Sequence, residues 1–160
     1  MKQWALALLL WCAAAGGAQE GLTLFQPGSY QVILQQHPGR PFILVFWSLE
    51  CSHCQGELRM LGELLAARPQ LELVVVSTDA PSDETELRQV LASRGLDRAD
   101  GWVFAEADSA RLRYEIDRSW YGELPRSYLF DAQHNRRVHS GVLKRGDVER
   151  WLETIEKGEN

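Results

Sequence analysis

The sequence predicts one α/β domain, a central mixed β-sheet flanked by helices on both faces. Three observations predict it. Phe42-Ile43-Leu44-Val45-Phe46-Trp47 is an unbroken apolar, β-rich run, the pattern of a central strand covered on both sides. Stretches with helical spacing alternate with further short apolar runs, as parallel α/β units do. The chain has 160 residues, 45% hydrophobic and 24% charged, enough for one sizeable core and no second domain. That composition excludes disordered and collagen-like chains. The net charge of −5 supplies no basic face, on average, for phosphate contacts with a nucleic acid.

The first 18 residues are read as lying outside the fold. Met1-Lys2 is a charged start, Trp4 to Ala15 is apolar, and Ala13-Ala14-Ala15-Gly16-Gly17-Ala18 is a small-residue exit. These are the parts of a secretory signal peptide over residues 1–18, leaving a domain over 19–160. The apolar run is shorter than the roughly 20 residues of a membrane span. An uncleaved N-terminal anchor is the alternative. Trp11 is too large for the small residue that lipoprotein processing prefers before its cysteine, so Cys12 is taken as part of the signal peptide.

The elements then follow in order. Pro27-Gly28-Ser29 opens a helix that runs through Gln36, and Phe42–Trp47 is the central strand. Leu58, Leu61, Leu64 and Leu65 recur at helical spacing from Cys54 to Ala67, with Pro69 as a stop. Leu71–Val76 is a second strand. Ser82 to Arg94 is a helix with Leu87, Val90 and Leu91 inward, Asp83 and Glu86 as its capping box and Gly95 just past its end. Trp102-Val103-Phe104 is a short strand and Ser109 to Ile116 a short helix. Tyr128-Leu129-Phe130 and Val138 to Leu143 form a hairpin around a polar connection. Val148, Trp151, Leu152 and Ile155 give the last helix one apolar face.

The chemistry is predicted at Cys51-Ser52-His53-Cys54. Once residues 1–18 are removed, Cys51 and Cys54 are the two remaining cysteines. A pair three apart closes a tiny loop and adds little stability through chain entropy, so its purpose is chemical rather than structural. It follows the central strand and opens a helix, the end of an α/β sheet where sites gather. Residues three apart share a helix face, so the two sulfurs can meet. The unpaired N–H groups and partial positive charge of the helix start favour a thiolate at Cys51, the species that attacks a disulfide. Cys51 attacks and Cys54 resolves, with no cofactor required. A metal site would need four donors, but there is no second Cys pair, and His37, His134 and His139 are scattered. A static surface disulfide is the other structural reading.

Phe46-Trp47-Ser48-Leu49-Glu50-Cys51-Ser52-His53-Cys54 resembles the FWxxWCxxC segment of thioredoxin-like proteins. Gly122-Glu123-Leu124-Pro125-Arg126-Ser127-Tyr128-Leu129-Phe130-Asp131 resembles the GxPxxFLID segment of their exported TlpA/ResA branch. The resemblance runs from about Leu22 to the last helix and implies a thioredoxin-like fold. It also implies a cis bond between Leu124 and Pro125, with Pro125 facing the cysteine pair and the Leu124 backbone binding substrate. The implied activity is that of a periplasmic protein-disulfide reductase in cytochrome c or copper-centre maturation. Its partners would be exported protein thiols or disulfides and a membrane electron donor or acceptor, with no nucleic acid and a monomeric state.

Two positions depart from the pattern. Glu50 stands where thioredoxins carry Trp, and the buried acid of cytoplasmic thioredoxins falls on Val45. Glu50 and Glu123 are the substitute proton acceptors, unless they are solvated rim charges. His53 places an imidazole beside the Cys51 sulfur, where its positive form stabilises the thiolate and makes the disulfide more oxidising; Glu50 acts the other way. A DsbA-type disulfide-forming oxidase is therefore one alternative. A non-catalytic copper-binding chaperone is another, weakened by the absence of a third cysteine beyond residue 18. Trp120-Tyr121 is either a docking rim or core. Arg136-Arg137 and Lys144-Arg145 are read as solubilising pairs.

Overall fold

The computed structural model describes residues 21–105 and 109–158. The expected signal peptide, its boundary at Ala18 and Cys12 lie outside the described residues. The chain forms one six-stranded mixed sheet, β1 (Thr23–Phe25), β2 (Phe42–Trp47), β3 (Glu72–Ser77), β4 (Asp100–Phe104), β5 (Arg126–Phe130) and β6 (Arg136–Ser140). Their spatial order is β1-β4-β3-β2-β5-β6. The first four run parallel, and β5 and β6 are antiparallel. Every residue of β2 is buried, as its unbroken apolar run requires of a strand between two neighbours and two layers of helix.

Side chains alternate across the sheet and divide the core in two. On one face Ile43, Val45 and Trp47 pack with α2 (Ser52–Ala67), α3 (Glu84–Ser93) and α5 (Arg145–Glu156) through Leu58, Leu61, Leu87 and Trp151. On the other, Phe42, Leu44 and Phe46 pack with α1 (Ser29–Gln36) and α4 (Ser109–Ile116) in an aromatic-rich cluster. Close approach between layers fixes one glycine. A Cβ on Gly62 would stand 1.7 Å from the carbonyl oxygen of Arg94, so α2 can lie against the turn after α3 only without a side chain there.

Two expectations change, and two features go beyond what the sequence predicted. The capping box at Asp83 and Glu86 does not form: a 3₁₀ turn (Pro81–Asp83) runs straight into α3. Asp83 then sits at φ −91°, ψ 4°, away from the extended conformation a capping side chain needs, and caps nothing. The hairpin's second strand ends at Ser140, because Gly141 takes φ 83° and turns its N–H onto the Pro125 carbonyl at 2.9 Å. Leu143 is buried but lies outside the ladder. Arg136 is exposed, and its guanidinium also has a structural part, donating to the Ile116 carbonyl at 2.6 Å and the Tyr30 hydroxyl at 3.3 Å. The edge strand β1 is too short to stand out in the sequence, and its pairing with β4 places it.

Candidate active site

The central strand delivers Cys51 to the start of α2. Cys51 is the N-cap residue, in extended conformation (φ −84°, ψ 94°), and its Sγ accepts the Cys54 backbone N–H at 3.1 Å. That capping role starts the helix at Ser52, two residues ahead of the sequence expectation. Cys54, one turn in, is fully buried, whereas Cys51 keeps some exposure. The two sulfurs are joined in a disulfide. An accessible sulfur at a helix N-terminus, aimed at by a backbone donor, paired with a buried one, is an arrangement for thiol–disulfide exchange.

The loop between β2 and α2 is held from the neighbouring strand. Asp79 accepts the Leu49 N–H at 2.9 Å and the Ser77 hydroxyl at 2.7 Å, while the Thr78 N–H donates to the Trp47 carbonyl at 2.9 Å. Glu50 and His53 are both exposed beside Cys51.

Opposite, the Leu124–Pro125 peptide is cis. Pro125 directly precedes the β5 residue that pairs with Phe46, one position before the end of β2. Leu124 packs against the apolar cluster that holds Cys54 and Cys51. No described residue hydrogen-bonds to the Leu124 backbone.

A buried charge network anchors this loop. Arg126 donates to Asp117 Oδ2 and Glu123 Oε1, both at 2.8 Å, to the Tyr128 hydroxyl at 3.1 Å, and to Ser140 Oγ. Burial acts against the Asp117 carboxylate, but hydrogen bonds from Ser119 and Arg126 and the Arg136 charge bring it down to about 2. Burial pushes the Tyr128 hydroxyl up to about 12. Glu123 also accepts the Tyr121 N–H, and its carbonyl accepts the Trp120 indole N–H at 2.9 Å. Glu123 is thus a tie of the loop. Trp120 is core, whereas Tyr121 is 90% exposed.

The residue missed in the sequence is Glu57. It is 1% exposed, one turn after Cys54 on the buried face of α2. Ser127 Oγ donates to its Oε1 at 2.8 Å and the Leu143 N–H to its Oε2 at 2.7 Å. Burial raises this carboxyl, against the lowering effect of those two hydrogen bonds and of the His139 charge. The signal was present: Cys54, Glu57, Leu58, Leu61 and Leu65 form one helical stripe, and Glu57 is its single charge. His37 and His134 meet far from the cysteines, around Phe42, where His134 Nε2 hydrogen-bonds the His37 carbonyl. Among the described residues, no group of three His, Cys, Asp or Glu side chains could hold a metal ion.

The order of strands, the helix-start disulfide and the cis-proline define a thioredoxin-like fold, and solved structures of that fold match the chain. One is a secreted Mycobacterium tuberculosis disulfide oxidoreductase homologous to E. coli DsbE, 18% identical over 75% of this chain and 85% of that one, TM-score 0.59. MTB dsbF, in mixed oxidised and reduced forms, is 20% identical over 76% and 84%, TM-score 0.60. A thiol:disulfide interchange protein of the thioredoxin family from Chlorobium tepidum is 16% identical over 76% and 83%, TM-score 0.60. No protein-family model and no curated protein matches the sequence.

Proposed function

We propose that this chain is an exported thiol–disulfide oxidoreductase that exchanges disulfides with cysteines of other exported proteins. The observation that carries the reading is the asymmetry of the pair, with Cys51 accessible and capping a helix while Cys54 is buried one turn below. In the reducing direction, the Cys51 thiolate attacks a partner disulfide, forms a mixed disulfide and releases one partner thiol. Glu57 takes the proton from Cys54, whose sulfur then attacks Cys51. The bond to the partner breaks, the second partner thiol leaves with a proton, and the Cys51–Cys54 disulfide forms. Partner and protein have exchanged two electrons. The Leu124 backbone, before Pro125, pairs with the partner segment carrying the attacked cysteine, while His53 and Glu50 tune the Cys51 thiolate in opposite senses.

Residues 1–18 act in this reading as the signal peptide and 19–160 as the working domain, a monomer in the periplasm. Similarity to a secreted disulfide oxidoreductase supports export. Among the described residues no helix is long and apolar enough to cross a membrane. The resemblance to the TlpA/ResA branch favours the reductase direction, in cytochrome c or copper-centre maturation, with a membrane protein dithiol recharging Cys51–Cys54. Equilibration with glutathione buffers tests direction: a potential near about −270 mV is that of a reductase and one near about −120 mV that of an oxidase. Trapping tests the activity itself. Cys54→Ser accumulates a Cys51-linked partner from cell envelopes and Cys51→Ser does not; equal recovery from both variants, or from neither, removes the proposal.

A further inference from the structure

One side chain on the edge strand stands beside the two groups that hold the buried Glu57 carboxyl. β5 and β6 pair Ser127 directly with His139, so the two side chains stand together on the α2 side of the sheet. Ser127 donates to Glu57 Oε1, and Leu143, next after Val142, donates through its N–H to Oε2. His139 Nε2 hydrogen-bonds the Val142 carbonyl at 3.1 Å. A carbonyl only accepts, so Nε2 donates in that bond and Nδ1 is left as the acceptor. His139 therefore flanks both donors that hold the carboxylate, and it is half-exposed.

We propose that His139 is a positioning residue whose imidazolium form holds Glu57 as the carboxylate that receives the Cys54 proton. The inference rests on the reading of Glu57 as that acceptor. Glu57 lies one turn after Cys54 on the buried face of α2, its two oxygens held by Ser127 and Leu143, and protonated His139 adds a positive charge beside those donors. The His139 charge acts on Glu57 in the lowering direction, opposite to burial. Other charges on the surrounding elements are Arg137 on the same face of β6, Lys144, and Arg145 at the start of α5, which is paired with Glu63 of α2 at 2.6 Å. Those cations keep their charge across the range in which a histidine titrates, so they set a constant background.

The test follows resolution in a single turnover. The reduced protein reacts with 5,5′-dithiobis(2-nitrobenzoate), which leaves a nitrothiobenzoate adduct on Cys51. Attack by Cys54 then expels the coloured thiolate, at a rate measured against pH. The unaltered protein shows an inflection set by Glu57. His139→Gln moves that inflection to higher pH, and His139→Lys, with a fixed positive charge, returns it to the original position or below. An unmoved inflection in His139→Gln, or equal upward shifts in both variants, overturns the role of His139. Glu57→Gln separates the two claims. Loss of that inflection in Glu57→Gln, leaving only the rise that follows ionisation of the Cys54 thiol, upholds Glu57 as acceptor, while the same inflection at the same pH removes Glu57 and the inference together.

Discussion

Replacing Asp117 by Asn tests the anchor of the cis-proline loop. The folded chain holds this carboxyl at about 2 against an ordinary 3.8. At about 1.4 kcal/mol per pH unit, the ionised form contributes roughly 2 kcal/mol to stability at neutral pH. The carboxyl is lowered on folding, so the contribution is complete above about pH 4 and lost as pH falls toward 2. Asparagine keeps an acceptor for Ser119 but leaves the Arg126 guanidinium, 7% exposed, without its buried counter-charge. Stranding a buried ion adds to the cost, with about 5 kcal/mol as the ceiling for a broken buried pair. Urea unfolding of the oxidised protein reads the effect. With a slope of about 1–3 kcal/mol per molar, the midpoint at pH 7 falls by about 1 M or more. The gap between parent and variant narrows as both are measured down to pH 2.5. A gap that stays constant over that interval refutes the reasoning, because the stabilisation would then not come from the ionised carboxylate.

Three further outcomes follow from particular contacts. Gly62→Ala and Gly56→Ala, on the same helix, should have opposite signs: nothing lies within 4 Å of a Cβ at Gly56, while at Gly62 it meets the Arg94 backbone. Thermal unfolding should show Gly56→Ala stabilising by about 0.5–1 kcal/mol and Gly62→Ala destabilising by about 1–3 kcal/mol or more. Asp79→Ala strands the Leu49 N–H and should cost about 1–2 kcal/mol and speed hydrogen exchange at that amide, whereas Asp79→Asn retains an acceptor and much of the protection. His53→Ala should lower the reduction potential and Glu50→Gln raise it, each by about 30 mV per pH unit moved in the Cys51 thiol, measured against glutathione.

Most of the sheet was legible in the chain because its strands are apolar runs and its helices carry one apolar stripe. The short helix expected over Ser109–Ile116 is present in the described residues. Where pattern reading failed, a partner distant in sequence decided the matter. The β1 pairing depends on β4, 79 residues away by register, and leaves no local mark. Asp83 had the right spacing for a capping box and the wrong backbone conformation, which spacing does not encode. In the site, Cys51, Cys54 and Pro125 stood out through motif and order. Glu57, Asp117 and Arg126 did not, because a charged residue reads as surface until the fold supplies its counter-charges and donors. The stripe around Glu57 was the exception, since a lone carboxyl among leucines marks either a mistake in phase or a buried acid.

The Cys51–Cys54 bridge spans three positions within one loop-to-helix junction and ties no strand to another. Opening it breaks no strand pairing, because both cysteines lie outside the ladders. The melting temperatures of the oxidised and reduced chains are linked by a thermodynamic cycle to the affinity of the dithiol for electrons. If the reduced protein melts higher, the bridge is one the fold prefers to give up, and the chain is built to donate its disulfide. If the bridged protein melts higher, it is built to donate electrons. Heating the two forms side by side thus reads the direction of its chemistry with no redox buffer present.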